Sequence, residues 1–413
     1  MGRAVTDEPP LGRNADFVRL WVGDTVSGLG SSITSLAYPL LALSLTHSAG
    51  LAGLVGLVAL AAAALVQLPA GVVIDRVPLR MVMVVTDVLR LLTTAALALS
   101  LVAGHLRLWQ LILVAAVNSG AAVFRNIARS VALRHVVPAS QLPQAFALDE
   151  GRNHAIGLVG QPVGGLSYAT APALPLVADL VSFAVSATLS ATIRHPLRPA
   201  AGSGPRRRLR EDVLTGMAFL WHEPFLRATL LAAAAYQLVF GGATFALVAS
   251  ATARGASATT LGVVFGVAAA GGILGALATP ALQARLPLKA MVVVMGWTAA
   301  AAFAAFAWLE RPLLAGVLLG CLYVTAAPAN AVLLAAQITR TPAPLQGRVM
   351  SASYLVAGLA APLGPPAGGL ALDQSSPGVT FTLLAVLTAL ITVAVHLNRP
   401  MGRTPPSHGE RTS

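Results

Sequence analysis

The sequence has few charged residues for its length. Only 10% of its 413 residues are Asp, Glu, Lys or Arg, whereas a soluble domain carries about a quarter of its residues as charges. Hydrophobic residues make up 56% of the chain, and the mean hydropathy is +0.77. The scarcity of charge excludes a protein whose main solvent is water and predicts a membrane protein.

The sequence also lacks the residue patterns of several functional classes. Cys321 is the single cysteine, so neither an intramolecular disulfide nor a cysteine-based metal cluster can form. No histidine spacing is typical of a metal site, and neither a Walker loop nor a His-Glu-x-x-His or Gly-x-Ser-x-Gly motif is present. We therefore expect no metal, no cofactor, no ATP hydrolysis and no enzymatic activity.

Sequence-specific nucleic-acid motifs are missing as well, although the formal net charge is +12. The basic residues lie at the ends of apolar runs and in alternate loops, which fits the positive-inside rule of membrane proteins better than a nucleic-acid surface. We expect no nucleic-acid partner.

The chain does contain apolar runs along nearly its whole length. Each is long enough to cross a bilayer as a helix, which requires about 20 residues. The runs are rich in Leu, Ala, Val and Gly and do not alternate with polar residues, which favours helices over a β-barrel. The first run begins near Phe17, is too long for a signal peptide and is interpreted as a retained span. The twelve predicted spans cover 17–45, 49–74, 79–103, 106–128, 145–169, 172–193, 226–250, 257–282, 288–309, 312–336, 347–370 and 377–397.

The basic residues predict the orientation of these spans. With both termini cytoplasmic, the opposite side receives only Arg107, Arg254 and Arg311. A basic residue beside a span resists translocation, so we expect a multi-pass protein of the plasma or inner membrane with both termini in the cytoplasm. The cytoplasmic side then receives Arg3, Arg13, Arg19, Arg76, Arg80, Arg129, Arg134, the linker arginines, Arg285, Lys289, Arg340, Arg348 and the tail arginines.

A basic segment divides the chain into two halves. We predict a tail over 1–16, a six-helix bundle over 17–193, a linker over 194–225, a second six-helix bundle over 226–397 and a tail over 398–413. The end of the linker has apolar residues at helical spacing, which indicates either a short helix on anionic headgroups of the inner leaflet or a solvated loop. These residues are Val213, Leu214, Met217, Leu220 and Trp221.

The two halves are related in sequence. Residues 126–165 align without a gap to 330–369 at an offset of 204, and an offset of 209 aligns the segment around Arg76 with that around Arg285. Parallel repeats of six spans are one recurring plan of membrane transporters, with the substrate site near the midplane between the halves. The matched pairs of the first alignment include Asn126 and Asn330, Gly160 and Gly364, Pro162 and Pro366, Gly164 and Gly368, and Gly165 and Gly369.

The loop between spans two and three carries the pattern Gly-x-x-x-Asp-Arg-x-x-x-Arg at Gly71, Asp75, Arg76 and Arg80. Here the chain resembles the major facilitator superfamily, over residues 15–398. The resemblance implies an all-α fold of twelve transmembrane helices in two pseudo-symmetric bundles. It also implies a cytoplasmic gate, in which Gly71 permits close helix approach and Asp75 engages the N-terminus of a helix from the other half. The alternative is that these residues are topology charges with a local ion pair.

Spans five and eleven are rich in glycine and proline. Proline bends a helix and glycines four residues apart permit close packing, so these residues can act as hinges, as tight seams or as static packing. The segment in span five resembles the antiporter motif of exporters in this superfamily, although Gln161 replaces the expected proline. The residues concerned are Gly160, Pro162, Gly164 and Gly165 in span five and Gly364, Pro365, Gly368 and Gly369 in span eleven.

Ionisable side chains inside the spans are functional candidates, because each costs about 2.5 to 3.5 kcal/mol on insertion scales. Asp24 and Asp179 are carboxylates that can bind a proton or a cationic group, or that can simply hold helices in register. Asp87 and Arg90 are one turn apart, which favours an ion pair between them. The complete set of proton or substrate candidates is Asp24, Arg125, Asp149, Arg152 and Asp179.

The resemblance implies a secondary active transporter similar to the drug and proton antiporters, in a branch like the macrolide or siderophore exporters. We expect proton-coupled efflux of a small amphipathic molecule by alternating access, a role linked to multidrug resistance. The expected partners are this small molecule, protons and the lipid bilayer, and the protein is expected to be a monomer. Two alternatives stay open: an importer or facilitator on the same fold, and a membrane sensor or scaffold that transports nothing.

Overall fold

Helices account for all the regular structure of the residues that the structure describes. The computed structural model describes residues 10–74, 76–197, 209–309, 311–342 and 345–398. Asp75, the linker residues 198–208 with Arg206, Arg207 and Arg208, and the terminal residues 1–9 and 399–413 lie outside these ranges. In lipid every backbone polar group needs a partner within the protein, and a helix provides one for each residue of its interior.

The described residues of the first bundle form seven α-helices. The first span consists of α1 and α2, which meet at a turn at Leu36, and each later span is one helix. Asn14 caps α1 by accepting hydrogen bonds from the backbone amides of Asp16 and Phe17. The helices are α1 (Ala15–Ser35), α2 (Ala37–Thr46), α3 (Ala49–Ile74), α4 (Leu79–Val102), α5 (Leu108–Val136), α6 (Leu142–Thr170) and α7 (Leu174–Ala191).

The second bundle has the same plan and follows one additional helix from the linker. Its fifth span is broken into α13 and α14 by a 3-10 turn at Ala361–Leu363, where Pro362 and the prolines just beyond it interrupt the hydrogen bonds of a regular helix. The helices are α8 (Leu209–His222), α9 (Pro224–Ala253), α10 (Ala258–Arg285), α11 (Leu288–Phe306), α12 (Pro312–Arg340), α13 (Gln346–Ala360), α14 (Gly364–Gln374) and α15 (Pro377–Leu397).

Ten membrane spans can be recognised among the described helices by length and composition alone, counting α1 and α2 as one. The two spans that this criterion omits are α6, which carries Asp149 and Arg152, and the broken pair α13 and α14. α6 packs against α1 and α7 of its own bundle and against α10 of the second, and α14 packs against α9 of its own bundle and against α3 of the first. They complete the predicted twelve transmembrane helices in two six-helix bundles.

Hydrogen bonds identify the helix ends that share one side of the molecule. The Asn14 side chain donates to the Val136 carbonyl at 2.9 Å, and the Leu79 amide donates to the Leu197 carbonyl at 3.1 Å. We term this side, which also carries the linker, the linker side. The opposite side, where α2 ends and α3 begins, is termed the far side.

The outward surfaces of both bundles are apolar. Leu99 is 71% exposed and Leu277 is 73% exposed, and similar side chains cover much of the perimeter. Contiguous apolar surface of this kind is rare on soluble monomers, and a lipid phase removes its cost. The chain is a multi-pass membrane protein.

The linker helix α8 packs against the second bundle. Leu220 is fully buried and joins the apolar core of that bundle with Phe225 and Leu226, whereas Trp221 is 53% exposed. Part of the apolar face that the sequence assigns to lipid is therefore covered by α9 and α13.

Two glycine-rich contacts join the bundles on the far side. In the first, Gly160 and Gly164 of α6 pack against α1, while Gly165 packs against Ala258 and Gly262 of α10. A Cβ atom on Gly165 would lie 2.9 Å from the Gly262 Cα, which is closer than real Cβ contacts occur. Small residues thus permit backbone contact between the halves.

The second contact is the pseudo-symmetric copy of the first. Gly364 and Gly368 of α14 pack against α9 of their own bundle, and Gly369 packs against the start of α3 in the first bundle. Pro365 and Pro366 lie against Gly53 of α3 in the same way that Gln161 and Pro162 lie against Gly262 of α10. We term these two contacts together the far-side seam.

Candidate functional site

The first bundle contains a cluster of buried charges. It consists of three carboxylates and three arginines from four helices, all near the level where α1, α4, α5 and α6 approach one another. We term this set the ionic cluster. Its members are Asp24 of α1, Asp87 of α4, Arg125 and Arg129 of α5, and Asp149 and Arg152 of α6.

Arg125 connects three helices of the cluster. Its Nη2 atom lies 2.6 Å from Oδ1 of Asp24, and its Nε atom lies 3.1 Å from Oδ1 of Asp87. The same Nη2 also donates a hydrogen bond of 2.7 Å to the Ser186 hydroxyl on α7. Arg125 is only 3% exposed, so these groups replace the water that its guanidinium loses on burial.

Asp24 is the carboxylate that the most arginines contact. Besides Arg125 at Oδ1, its Oδ2 atom is 2.9 Å from Nε of Arg129 and 3.6 Å from Nη1 of Arg152. Asp149 completes the cluster by pairing with Nη1 of Arg129 and with Nη1 of Arg152, the latter at 3.2 Å.

The cluster is electrically neutral when all six groups are ionised. Burial of each isolated ion costs several kcal/mol, and this cost is offset only if every charge has a partner with good geometry. Addition or removal of one proton would therefore leave one unpaired charge in a low-dielectric environment.

A second polar group lies nearby on α1, α4 and α7. Arg90 donates a hydrogen bond of 2.9 Å to the Ser31 hydroxyl, which in turn donates to Oδ1 of Asp179 at 3.3 Å. The Arg90 guanidinium also lies 4.0 Å from the ring centroid of Phe183. Asp179 is thus linked to Arg90 through Ser31.

The predicted ion pair between Asp87 and Arg90 is wrong. One turn of α4 does place both residues on the same face, but Asp87 is fully buried toward α5 and pairs with Arg125. Arg90 instead contacts Ser31 and Phe183. Helix spacing allows a pair between residues of one helix, but partners from neighbouring helices determine which pair forms.

A cavity of about 620 Å³ lies between the bundles, mostly within the second one. It is large enough for a drug-sized molecule, since ligand pockets measure roughly 300 to 1,000 Å³. Aromatic and uncharged hydrogen-bonding side chains line it among the described residues. The principal ones are Tyr236, Gln237 and Phe240 of α9, Tyr323 and Asn330 of α12, Thr388 of α15, and Asn153 and His154 of α6.

Asn153 joins the cavity to the ionic cluster. Its side chain is exposed at the cavity wall, and its Oδ1 atom accepts a hydrogen bond of 3.2 Å from Nη2 of Arg152. The same guanidinium contacts Asp149 and Asp24 through Nη1. One arginine therefore contacts the carboxylates on one side and a cavity-lining amide on the other.

The residues of the predicted cytoplasmic gate lie apart from this site, on the linker side. Arg76 is exposed, and Arg80 donates a long hydrogen bond of 3.4 Å to the His195 carbonyl. A Cβ atom on Gly71 would meet no atom within 4 Å, so the close helix approach expected there is not present. Asp75 lies outside the described residues.

The structure brings together four of the five predicted proton or substrate candidates, namely Asp24, Arg125, Asp149 and Arg152. Asp179 belongs to the neighbouring group instead. Arg129 was assigned by sequence to the loop after a span ending at 128, but α5 continues to Val136 and places it inside the cluster.

Sequence reasoning also missed most of the cavity wall. Asn330 was visible only as a matched position of the internal repeat, with Asn126 as its counterpart. A polar residue within an apolar run was the available signal for Gln237 and Asn330, since uncharged polar side chains in a membrane span also require partners.

Comparison with known proteins assigns the family. A sequence model described as Major Facilitator Superfamily matches residues 20–352. The chain belongs to the major facilitator superfamily. As a member of this superfamily it is a transporter and not an enzyme, which confirms the expectation from the loop motif and the internal repeat.

Individual relatives agree with this assignment. The chain is 26% identical over 386 residues to the multidrug efflux pump Tap of Mycolicibacterium fortuitum, which covers 90% of this chain and 93% of that protein. Its fold is similar to that of the nucleoside transporter NupG, with a TM-score of 0.72 at 16% identity over 94% of this chain and 99% of NupG. A bacterial homologue of the lysosomal transporter Spinster, in an inward-facing and unoccupied conformation, gives a TM-score of 0.73 at 14% identity over 97% of this chain and 100% of that one.

Proposed function

We propose that this transporter exports a small amphipathic molecule in exchange for protons by alternating access. The observation that carries the proposal is the contact between the cavity and the ionic cluster through Arg152 and Asn153. A drug-sized cavity provides a place for cargo, and a neutral cluster of buried carboxylates and arginines provides groups whose protonation changes the balance of charge.

The linker side is proposed to be cytoplasmic, in the plasma or inner membrane. Basic residues predominate on that side, and such residues resist translocation. The seam closes the far side while the cavity extends toward the linker-side ends of α9 and α12. This arrangement supports a state that accepts cargo from the cytoplasm.

The cavity wall supports a cargo with both ring surfaces and hydrogen-bonding groups. Tyr236, Phe240 and Tyr323 offer aromatic faces for stacking, and Gln237 and Asn330 offer amides that both donate and accept hydrogen bonds. A few polar groups that orient a ligand within a largely apolar wall are typical of small-molecule sites.

Proton coupling is proposed to act through Asp24. A proton on Asp24 removes the charge that Arg125 and Arg129 share, so Arg125 then depends on Asp87 and Arg129 on Asp149. Arg152 then depends more on Asp149 and on the Asn153 amide, which changes the cavity wall. A proton thus biases the equilibrium between the two states to the extent that the states differ in their affinity for it.

The direction of transport is supported by the relative Tap, whose name describes a multidrug efflux pump. In span five, Gln161 stands where the exporter motif has a proline. The experiments below therefore measure the direction of transport.

The test uses purified transporter in proteoliposomes loaded with compounds from an amphipathic drug panel. We expect an imposed pH gradient to drive flux of at least one compound, and an ionophore that collapses the gradient to abolish it. Asp24→Asn should lower gradient-driven flux at least tenfold. Asp16→Asn is the matched control, since Asp16 is a carboxylate of the same helix that pairs with Arg19 outside the cluster.

Two results would contradict the proposal. Flux that ignores the pH gradient and survives Asp24→Asn combined with Asp179→Asn would remove proton coupling. Proton-driven accumulation of the compound inside cells that contain the transporter would show an importer.

A further inference from the structure

Asp373 forms a tie between the two bundles on the far side. It lies at the end of α14, in the second half, and its carboxylate contacts the first turn of α3, in the first half. Oδ2 accepts hydrogen bonds from the Ser48 hydroxyl at 2.6 Å and from the Gly50 amide at 2.9 Å, and Oδ1 accepts one from the Ala49 amide at 2.9 Å.

The chemistry of the site accounts for these three bonds. The first amides of a helix have no partner within the helix, and the N-terminal end of the helix dipole attracts negative charge. Ser48 already caps α3 by accepting from the Leu51 amide at 3.2 Å. Asp373 satisfies two further amides, but only while the far-side ends of the two bundles are in contact.

The surrounding residues allow the carboxylate to reach its partners. Gly50 has no side chain to obstruct it, since a Cβ atom there would lie 2.9 Å from Oδ2 of Asp373. Below it, Gly369 contacts the backbone at the start of α3 as part of the far-side seam. The tie therefore lies at the outer edge of the seam, where separation of the bundles would break it first.

Among the residues that the structure describes, no such tie forms at the pseudo-symmetric position. Ser257 corresponds to Ser48 in the repeat and caps α10 by accepting from the Thr260 amide at 3.1 Å. The position that corresponds to Asp373 at the offset of 204 is Ala169, which has no carboxylate.

We propose that Asp373 is a gate residue, whose bonds to the start of α3 hold the far side closed and must break before cargo can leave on that side. This gate uses the chemistry that the loop motif assigns to Asp75, a carboxylate at a helix N-terminus of the other half, but at the opposite end of the molecule. The inference does not depend on the identity of the cargo or on proton coupling.

The test measures distances between spin labels by pulsed electron resonance, on the full chain in lipid nanodiscs. A background of Cys321→Ala receives one label pair on the far side, at His105→Cys and Trp308→Cys, and another on the linker side, at Arg134→Cys and Thr339→Cys. All four labelled positions are exposed. We expect Asp373→Ala to move most of the far-side distance distribution to longer values, with shorter distances on the linker side. Ser257→Ala is the matched control and should change neither distribution.

A second variant separates a gate from a simple helix cap. In Asp373→Ala with Ser48→Asp, the new carboxylate caps α3 from its own chain segment but no longer ties the bundles together. A gate requires the far side to stay open in this variant. Closure restored by Ser48→Asp, or a far-side distribution that Asp373→Ala leaves unchanged, would overturn the inference.

Discussion

At the scale of single residues, Asp24 has the most contacts with opposite charge in the first bundle. It contacts Arg125, Arg129 and Arg152, and its two oxygens are shared among them. Loss of this one charge leaves the cluster with an excess positive charge in a buried environment, whereas joint loss of one acid and one base leaves it neutral.

Stability should follow this charge balance. We expect Asp24→Leu alone and Arg125→Leu alone each to lower the free energy of unfolding by about 3–5 kcal/mol, because each leaves an uncompensated buried charge. The double variant should lose much less than the sum of the two single losses. Thermal unfolding of the purified variants in detergent measures this coupling. Additive losses would mean that the pair does not act as a unit.

Asn153 should affect the pH dependence of transport. Its amide accepts from Arg152 and faces the cavity, so Asn153→Ala removes the contact between cluster and cavity wall. We expect the apparent KM for an exported compound to vary at least threefold less with pH in this variant than in the unaltered protein. Gln237 is a cavity amide on α9 in the second bundle. We expect Gln237→Ala to raise KM by the same factor at all pH values. Equal pH profiles for the two variants would argue against the role of Asn153.

Some of these residues could be predicted from the sequence and others could not. Asp24, Arg125, Asp149 and Arg152 stand out because charge within an apolar run is costly and requires a partner. Arg129 did not, since a basic residue near a predicted helix end also serves topology, and helix ends are uncertain by a few residues. Asp87 was recognised as a buried charge, but the prediction of its partner was wrong, because the spacing along one helix does not encode contacts between helices.

At the scale of helices, the far-side seam explains why spans five and eleven are rich in glycine. The sequence indicated close packing but left open whether the glycines face their own bundle or the other one. The structure assigns both roles: Gly160 and Gly164 contact α1, and Gly165 contacts α10 across the interface. The start and end of most spans were predicted to within a few residues, because charges and prolines mark them. The break between α13 and α14 was not predicted, although the prolines that cause it are visible.

A methyl group at the seam should therefore separate the bundles. We expect Gly165→Ala to favour the state with an open far side, because the new Cβ would lie 2.9 Å from the Gly262 Cα and neither backbone can yield easily. The rate at which a maleimide reagent labels a cysteine placed in the seam, such as Ala258→Cys in the Cys321→Ala background, measures this opening. We expect labelling to become at least threefold faster.

Gly157→Ala provides the control for that measurement. Gly157 lies on the same helix, and a Cβ atom there would meet no atom within 4 Å. In the Gly157→Ala variant, the cysteine at position 258 should be labelled at the same rate as in the protein with both glycines unaltered. If both alanine variants labelled equally fast, helix propensity rather than the seam would account for the change.

At the scale of the whole molecule, the position of the basic residues predicts the topology. We expect reporters fused to the two ends of the chain to report a cytoplasmic location, and a reporter inserted at the exposed far-side turn near His105 to report the outside. Fluorescent and phosphatase fusions measure this directly. Ends on opposite sides of the bilayer would be incompatible with an even number of spans.

The division of labour between the bundles has an evolutionary consequence. The ionic cluster belongs entirely to the first bundle, and most of the cavity wall belongs to the second. Under the proposed function, substitutions on α9 and α12 would therefore alter which compounds are recognised and leave the proposed proton-binding residues unchanged. If the cargo is a changing set of toxic compounds, as the proposed function implies, selection would act on one half of the gene and conserve the other.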